Sequence, residues 1–179
     1  MDRAGRQVTD VLVVEDDAGE ALLVREALAE AGGSALRCHI AVDADSAVRF
    51  LWHQDGFTSA PRPRLILLDL NLGATHGLEL LARLKSDDDL KTIPVVVLSS
   101  SRHPADIHHS YAHHASAYVV KPVSLDDFAD MIKVLDACFL RLAEPSLPSL
   151  HADGYHHPVP GMHPCAPMPQ QERTSSSRT

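Results

Sequence analysis

Cysteine is scarce in this sequence and badly placed for joint action. Cys38, Cys138 and Cys165 are odd in number and far apart, with no CxxC pair. Neither a disulfide framework nor a zinc ribbon is indicated, and Cys38 and Cys138 read as small core hydrophobes. The long uncharged apolar run of a membrane span is missing. So is the apolar core of a secretory signal, since the chain opens Met1-Asp2-Arg3-Ala4-Gly5-Arg6. Basic charge is short as well: the formal net charge is -8, which argues against nonspecific nucleic-acid binding. The expectation is a cytoplasmic protein with neither membrane nor nucleic acid as a partner. No internal repeat is visible, and 179 residues suit one domain with a remainder.

What the chain does have is short, continuous aliphatic runs that end in polar residues. Leu65-Ile66-Leu67-Leu68 follows the breakers Pro61 and Pro63 and delivers Asp69 at its end, with Gly73 just beyond. Such a run reads as a central strand covered on both faces. Val11-Leu12-Val13-Val14 is a second, ending in Glu15, Asp16 and Asp17. Ala21, Val24, Leu28 and Ala31 then recur at helical spacing until Gly32-Gly33. Leu36 to Ala41 is a weaker strand nearer an edge, and Asp43 opens a helix through Ala47, Phe50 and Leu51. His53 to Pro63 is a loop.

From Gly77 the pattern is helical again, with Leu78, Leu81 and Leu84 on one face, until Asp87-Asp88-Asp89. Val95 to Leu98 forms a strand that Pro94 can enter and that closes on Ser99, Ser100 and Ser101. Pro104 to Ala115 is a histidine-rich helix, and Tyr118-Val119-Val120 is a last strand ending at Lys121-Pro122. Ser124 and Asp127 make a capping box for the final helix, whose apolar face is Phe128, Met131 or Ile132, Leu135, Phe139 and Leu142. Five strands alternating with five helices between about Val8 and Leu142 describe a doubly wound α/β domain. Residues 1–144 form that domain. Beyond Pro145 the chain is rich in Pro, Ser, His and Gly without a periodic apolar face, so residues 145–179 read as a disordered tail.

In a parallel sheet all strand ends of one sense share an edge. Glu15 and Asp16, Asp69, Ser99 and Lys121 therefore converge. Were Asp16 and Asp69 ~5 Å apart, their repulsion at an effective dielectric near ~20 would be roughly 3 kcal/mol, so the cluster calls for a cation. Hard oxygen ligands suit Mg2+ better than zinc, which wants His or Cys. A divalent ion, a lysine and a hydroxyl around one aspartate are the equipment for phosphoryl transfer to a carboxylate. Asp69 is the nucleophile, Lys121 and the metal neutralise phosphoryl charge, and Ser99 hydrogen-bonds a phosphoryl oxygen. His109 and His113 fall at i and i+4, but without a further ligand at metal spacing they read as an exposed polar face.

These residues resemble the receiver domains of two-component response regulators, over about Val8 to Leu142. Val13-Val14-Glu15-Asp16-Asp17 is similar to the family's acidic pocket and Leu67-Leu68-Asp69-Leu70-Asn71 to its phosphoacceptor strand. Val97-Leu98-Ser99-Ser100 matches its switch hydroxyl, and Tyr118-Val119-Val120-Lys121-Pro122 its lysine, rotating aromatic and cis-type proline. The resemblance implies a flavodoxin-like, CheY-like three-layer sandwich with strand order 2-1-3-4-5. It implies Mg2+ held by the carboxylates of Asp16 and Asp69, by the backbone carbonyl of Asn71 and, through water, by Glu15.

The resemblance also implies a sensor histidine kinase as phosphodonor and a switch at Ser99 and Tyr118. The face of the fourth helix, fifth strand and fifth helix becomes the output and homodimer surface. Ala60-Pro61-Arg62-Pro63, Asp69-Leu70-Asn71-Leu72 and Lys121 to Phe128 resemble the stand-alone regulators that partner bacterial phytochrome-type kinases. Such a protein catalyses only its own phosphorylation and slow dephosphorylation. Two departures stand out: Gly73 sits where the family usually has proline, and His114 where it usually has glycine. The tail is too short and too proline-rich for a helix-turn-helix, which leaves protein contact as the output. An aspartyl-nucleophile phosphohydrolase is the alternative, but it usually has a second carboxylate where this chain has Asn71. A phosphate sink and a degenerate receiver used only for binding are further alternatives.

Overall fold

The computed structural model describes residues 8–32, 36–73, 75–122 and 124–141, all within the compact unit Met1–Glu144. The tail expected to be disordered lies outside the described residues, as does Leu142. Five parallel strands make the sheet: β1 (Thr9–Val14), β2 (Leu36–Ala41), β3 (Leu65–Asp69), β4 (Val95–Ser99) and β5 (Ala117–Val120). They lie in the order β2-β1-β3-β4-β5, which is the 2-1-3-4-5 order implied above. The helices are α1 (Ala18–Gly32), α2 (Ala44–Leu51), α3 (Gly77–Ser86), α4 (Pro104–Ala112) and α5 (Leu125–Leu135).

The aliphatic runs are continuous because both faces of the sheet are covered. Leu12, Val14, Ile66, Leu68, Val95 and Val97 pack on one side with Ala47, Phe50, Leu81 and Leu84 of α2 and α3. Val11, Val13, Leu65, Leu67, Val96 and Leu98 pack on the other with Val24 and Leu28 of α1 and Ile132 and Leu135 of α5. Alternate residues of each strand thus serve opposite cores. The pairing sets Val14 beside Ala41 and Leu68, Asp69 beside Leu98, and Ser99 beside Val120. The polar strand ends arrive on one edge.

Caps fix where helices begin. Asp43 and Ser46 form a reciprocal box at α2, with Ser46 N–H to Asp43 Oδ1 at 2.6 Å and Asp43 N–H to Ser46 Oγ at 3.2 Å. Ser124 Oγ accepts the Asp127 N–H at 3.1 Å at the start of α5. The far end of that helix departs from the expected pattern. Asp136–Arg141 is a π-helical turn, which inserts an extra residue into the helical period. Leu140 is buried in place of Phe139, which is half-buried, and Cys138 is exposed. The core role expected of Cys138 is therefore corrected, whereas Cys38 is half-buried against the α1 side of the sheet.

Both departures from the family pattern have a backbone reason. A short antiparallel hairpin, Asn71–Leu72 with Thr75–His76, follows β3, and its turn passes through Gly73 at φ 58°. Proline, fixed near φ -65°, could not make this turn. His114 lies at φ 60° in a helix-ending motif in which the His114 N–H reaches Tyr111 O at 3.0 Å and the Ala115 N–H reaches Ser110 O at 2.9 Å. That position ordinarily takes glycine. His114→Gly is accordingly expected to raise unfolding stability by about 1 kcal/mol, measured as the midpoint of urea denaturation. A midpoint unchanged or lowered would show that the imidazole makes up for the strained backbone.

Candidate functional site

The site is built on strand ends. β1 terminates at Val14, and the next residue, Glu15, stays on the sheet edge because its N–H donates to Ala41 O at 3.0 Å. Glu15 is buried at 3% exposure and Asp69, the last residue of β3, at 5%. Lys121 follows β5, tied back to β4 by its N–H to Ser99 O at 2.9 Å. Its ammonium reaches across the edge to Glu15 Oε2 at 2.7 Å and Asp69 Oδ2 at 3.0 Å. A third carboxylate, Glu20 in the first turn of α1, also accepts from Lys121 Nζ.

Asp69 is held at both oxygens, because its Oδ1 accepts the Asn71 N–H at 3.2 Å. Glu15 Oε1 in turn accepts the Asp17 N–H at 3.3 Å. Ser99 is fully buried, and its Oγ accepts the Ser101 N–H at 3.2 Å. Tyr118 is half-buried, its hydroxyl donating to Ser101 O at 2.9 Å and its own N–H donating to the Tyr111 hydroxyl at 3.2 Å. Ser101 Oγ continues the network to Asp106 Oδ2 of α4 at 2.5 Å. Ser99 and Tyr118 are thus linked through one loop to α4.

Three carboxylates and one ammonium leave two negative charges at this edge. Burial pushes the Glu15 carboxyl above the usual carboxylate range, a shift that its pairing with Lys121 only partly offsets. Burial alone would lower the Lys121 pKa, but hydrogen bonds to Glu15, Glu20 and Asp69 outweigh it and hold the group well above an ordinary lysine. The ligand atoms of Glu15, Glu20 and Asp69 lie within 4.8 Å of one another. All are hard oxygens with excess negative charge, a donor set that fits a divalent cation of the magnesium or manganese kind.

Hydrogen bonds of the Lys121 ammonium bring Glu15, Asp69 and Lys121 together, and Ser99 shares their sheet edge through its carbonyl bond to the Lys121 N–H. Asp16 stands apart: it is exposed, with Oδ2 turned toward Gly73 and 3.6 Å from where a Cβ would lie there. The place beside Glu15 and Asp69 is taken by Glu20, which the sequence reading missed. Asn71 contributes its N–H to Asp69, and its side chain is exposed. Pro122 needs correction: no described peptide bond is cis. The trans form is the ordinary preference, and it occurs here with Lys121 already anchored by Ser99 O. Gly77 was also missed as a site residue. A Cβ there would sit 2.2 Å from Asp69 O and 2.8 Å from Leu70 Cα. His109 and His113 are exposed, as expected.

A family model described as the response regulator receiver domain matches residues 11–133. The chain belongs to the response regulator receiver domain family. This receiver is similar to response regulator Rcp1 of Synechocystis sp., 38% identical over 133 residues that make up 73% of this chain and 88% of that protein. Its fold is similar to the crystal structure of the phosphorylated cyanobacterial phytochrome response regulator RcpA. That match has 38% identity and a TM-score of 0.74 over 78% of this chain and 99% of that one. The Mn2+-bound form of Rcp1 matches with 37% identity and a TM-score of 0.71, over 77% and 99% of the two chains. The receiver is thus a two-component signalling protein. Among its described residues no helix is long and apolar enough to cross a membrane.

Proposed function

We propose that this receiver takes a phosphoryl group from the phosphohistidine of a sensor histidine kinase onto Asp69 in a Mg2+-dependent reaction. The observation that carries this reading is the Lys121 ammonium bonded at once to Glu15 and Asp69 across three strand ends. An Asp69 carboxylate oxygen attacks phosphorus, the N–P bond breaks, and the imidazole leaves with its electron pair and takes up a proton. Asp69 is presented in a fixed plane by its two hydrogen bonds, so little orientation remains to be found at the moment of attack. Lys121 offsets charge on the phosphoryl oxygens, and Ser99 Oγ turns from the Ser101 N–H to donate to one of them. When bound, Mg2+ neutralises phosphoryl charge and orients the donor. Glu15 and Asp69 are the residues to hold it, and likeness to the family adds the Asn71 carbonyl and Asp16, whose exposed carboxylate would have to turn in from Gly73.

Beyond this self-directed transfer the protein is not an enzyme, and residues 1–144 are its working unit in the cytoplasm. Movement of Ser99 and Tyr118 reaches α4 through Ser101 and Asp106, so the surface of α4, β5 and α5 is the output and homodimer face. The likeness to Rcp1 and RcpA supports a phytochrome-type kinase as partner. The test is labelling by acetyl phosphate with Mg2+. Asp69→Asn is expected to lose labelling entirely, and chelation of Mg2+ to suppress it in the wild type. Labelling of Asp69→Asn at the wild-type rate would remove Asp69 from the role.

A further inference from the structure

An ammonium group has three N–H donors, and those of Lys121 go to three carboxylates: Glu15, Asp69 and Glu20. Nothing is left over for a phosphoryl oxygen. One of the three contacts has to open before Lys121 can meet an incoming phosphoryl group while Asp69 is still a carboxylate, and the three differ in how readily they open. The Glu15 and Asp69 side chains are 4% and 6% exposed, whereas Glu20 is 48% exposed. In the metal-free protein only Glu20 can exchange its bond to Lys121 for water without leaving a buried carboxylate unpaired.

Local geometry explains why Glu20 points to Lys121 at all. Asp17 caps α1, its Oδ1 accepting the Glu20 N–H at 2.8 Å. The spacing Asp17-x-x-Glu20 is that of a capping box, in which the glutamate would return to the N–H of the cap. Here that N–H is already donated to Glu15 Oε1. The Glu20 carboxylate is therefore released from the helix end and turns to the lysine.

We propose that Glu20 is a positioning residue that occupies the third donor of Lys121 in the unphosphorylated protein and restrains phosphoryl acceptance until it lets go. This rests on Asp69 being the acceptor and Lys121 its partner. Glu20→Gln and Glu20→Ala in the full chain test it, the alanine variant because a glutamine carbonyl can still accept from Lys121. In metal-free protein, reductive methylation of Lys121, read by peptide mass spectrometry, is expected to be roughly two- to five-fold faster, the scale of one exposed ion pair. Acetyl phosphate labelling of Asp69 at saturating Mg2+ should accelerate by a similar factor, more for alanine than for glutamine.

A loss of packing alone would slow labelling, so the gain is specific to the restraint. Wild-type rates in both assays, or slower labelling in folded variants, overturn the proposal while leaving Asp69 as acceptor. A wild-type protein that is not labelled at Asp69 takes both readings down.

Discussion

Lys121→Met is expected to destabilise the metal-free protein by about 3 kcal/mol, because it leaves two buried carboxylates facing each other without a counter-charge. Glu15 and Asp69 are almost wholly withdrawn from water, and the ammonium joins them at 2.7 and 3.0 Å. Methionine fills similar volume, so the loss is one of charge and hydrogen bonds and not of packing. Saturating Mg2+ should recover part of the stability, since a cation that binds only the folded state shifts unfolding by mass action. The recovery should exceed that of the wild type, whose site already contains a positive charge. Calorimetric melting with and without Mg2+ reads both effects, and a Lys121→Met protein that melts with the wild type would mean that the ammonium does not stabilise this edge.

Gly77→Ala is the second large effect. The added Cβ would lie 2.2 Å from Asp69 O, 2.8 Å from Leu70 Cα and 3.1 Å from Asp69 C, all main-chain atoms that cannot rotate away. The Gly77 N–H also donates to Leu70 O at 2.8 Å, so α3 cannot back off without breaking that bond. The cost is expected to be roughly 2–3 kcal/mol, with slower labelling of Asp69 because the residue next to the clash is displaced. Gly73→Ala is the comparison. Among the described residues its Cβ meets only Asp16 Oδ2 at 3.6 Å, so the left-handed backbone should limit the loss to about 1 kcal/mol. Equal losses for the two variants would remove the special closeness of Gly77 to Asp69.

Much of this was legible in the sequence because the strands announce themselves. Continuous aliphatic runs at Val11 to Val14, Leu65 to Leu68 and Val95 to Leu98 are what a twice-covered sheet requires. The parallel sense then forces Glu15, Asp69, Ser99 and Lys121 to one edge. The features that escaped depend on local backbone or on contacts between distant residues. Glu20 sits where an amphipathic helix is polar, and its spacing from Asp17 imitates a cap. Only the finding that Glu15 takes the Asp17 N–H frees it for Lys121. Gly77 looks like a helix start until the chain after β3 is seen to cross it. The π turn after α5 arises from packing, so a 3.6-residue period chose Phe139 where the fold buries Leu140. Gly73 and His114 departed from a pattern, and their positive φ values show one as a fitted turn and the other as a strained helix end.

The acyl phosphate itself is the most direct object to measure. Wild-type protein is incubated with acetyl phosphate and Mg2+, reduced with borohydride and mapped by peptide mass spectrometry, which converts a phosphorylated aspartate to homoserine. Homoserine at residue 69 alone is the predicted result. Homoserine at Asp16 or Asp17 with none at 69, or no reduced residue from a protein that has bound the phosphoryl group, would contradict Asp69 as acceptor.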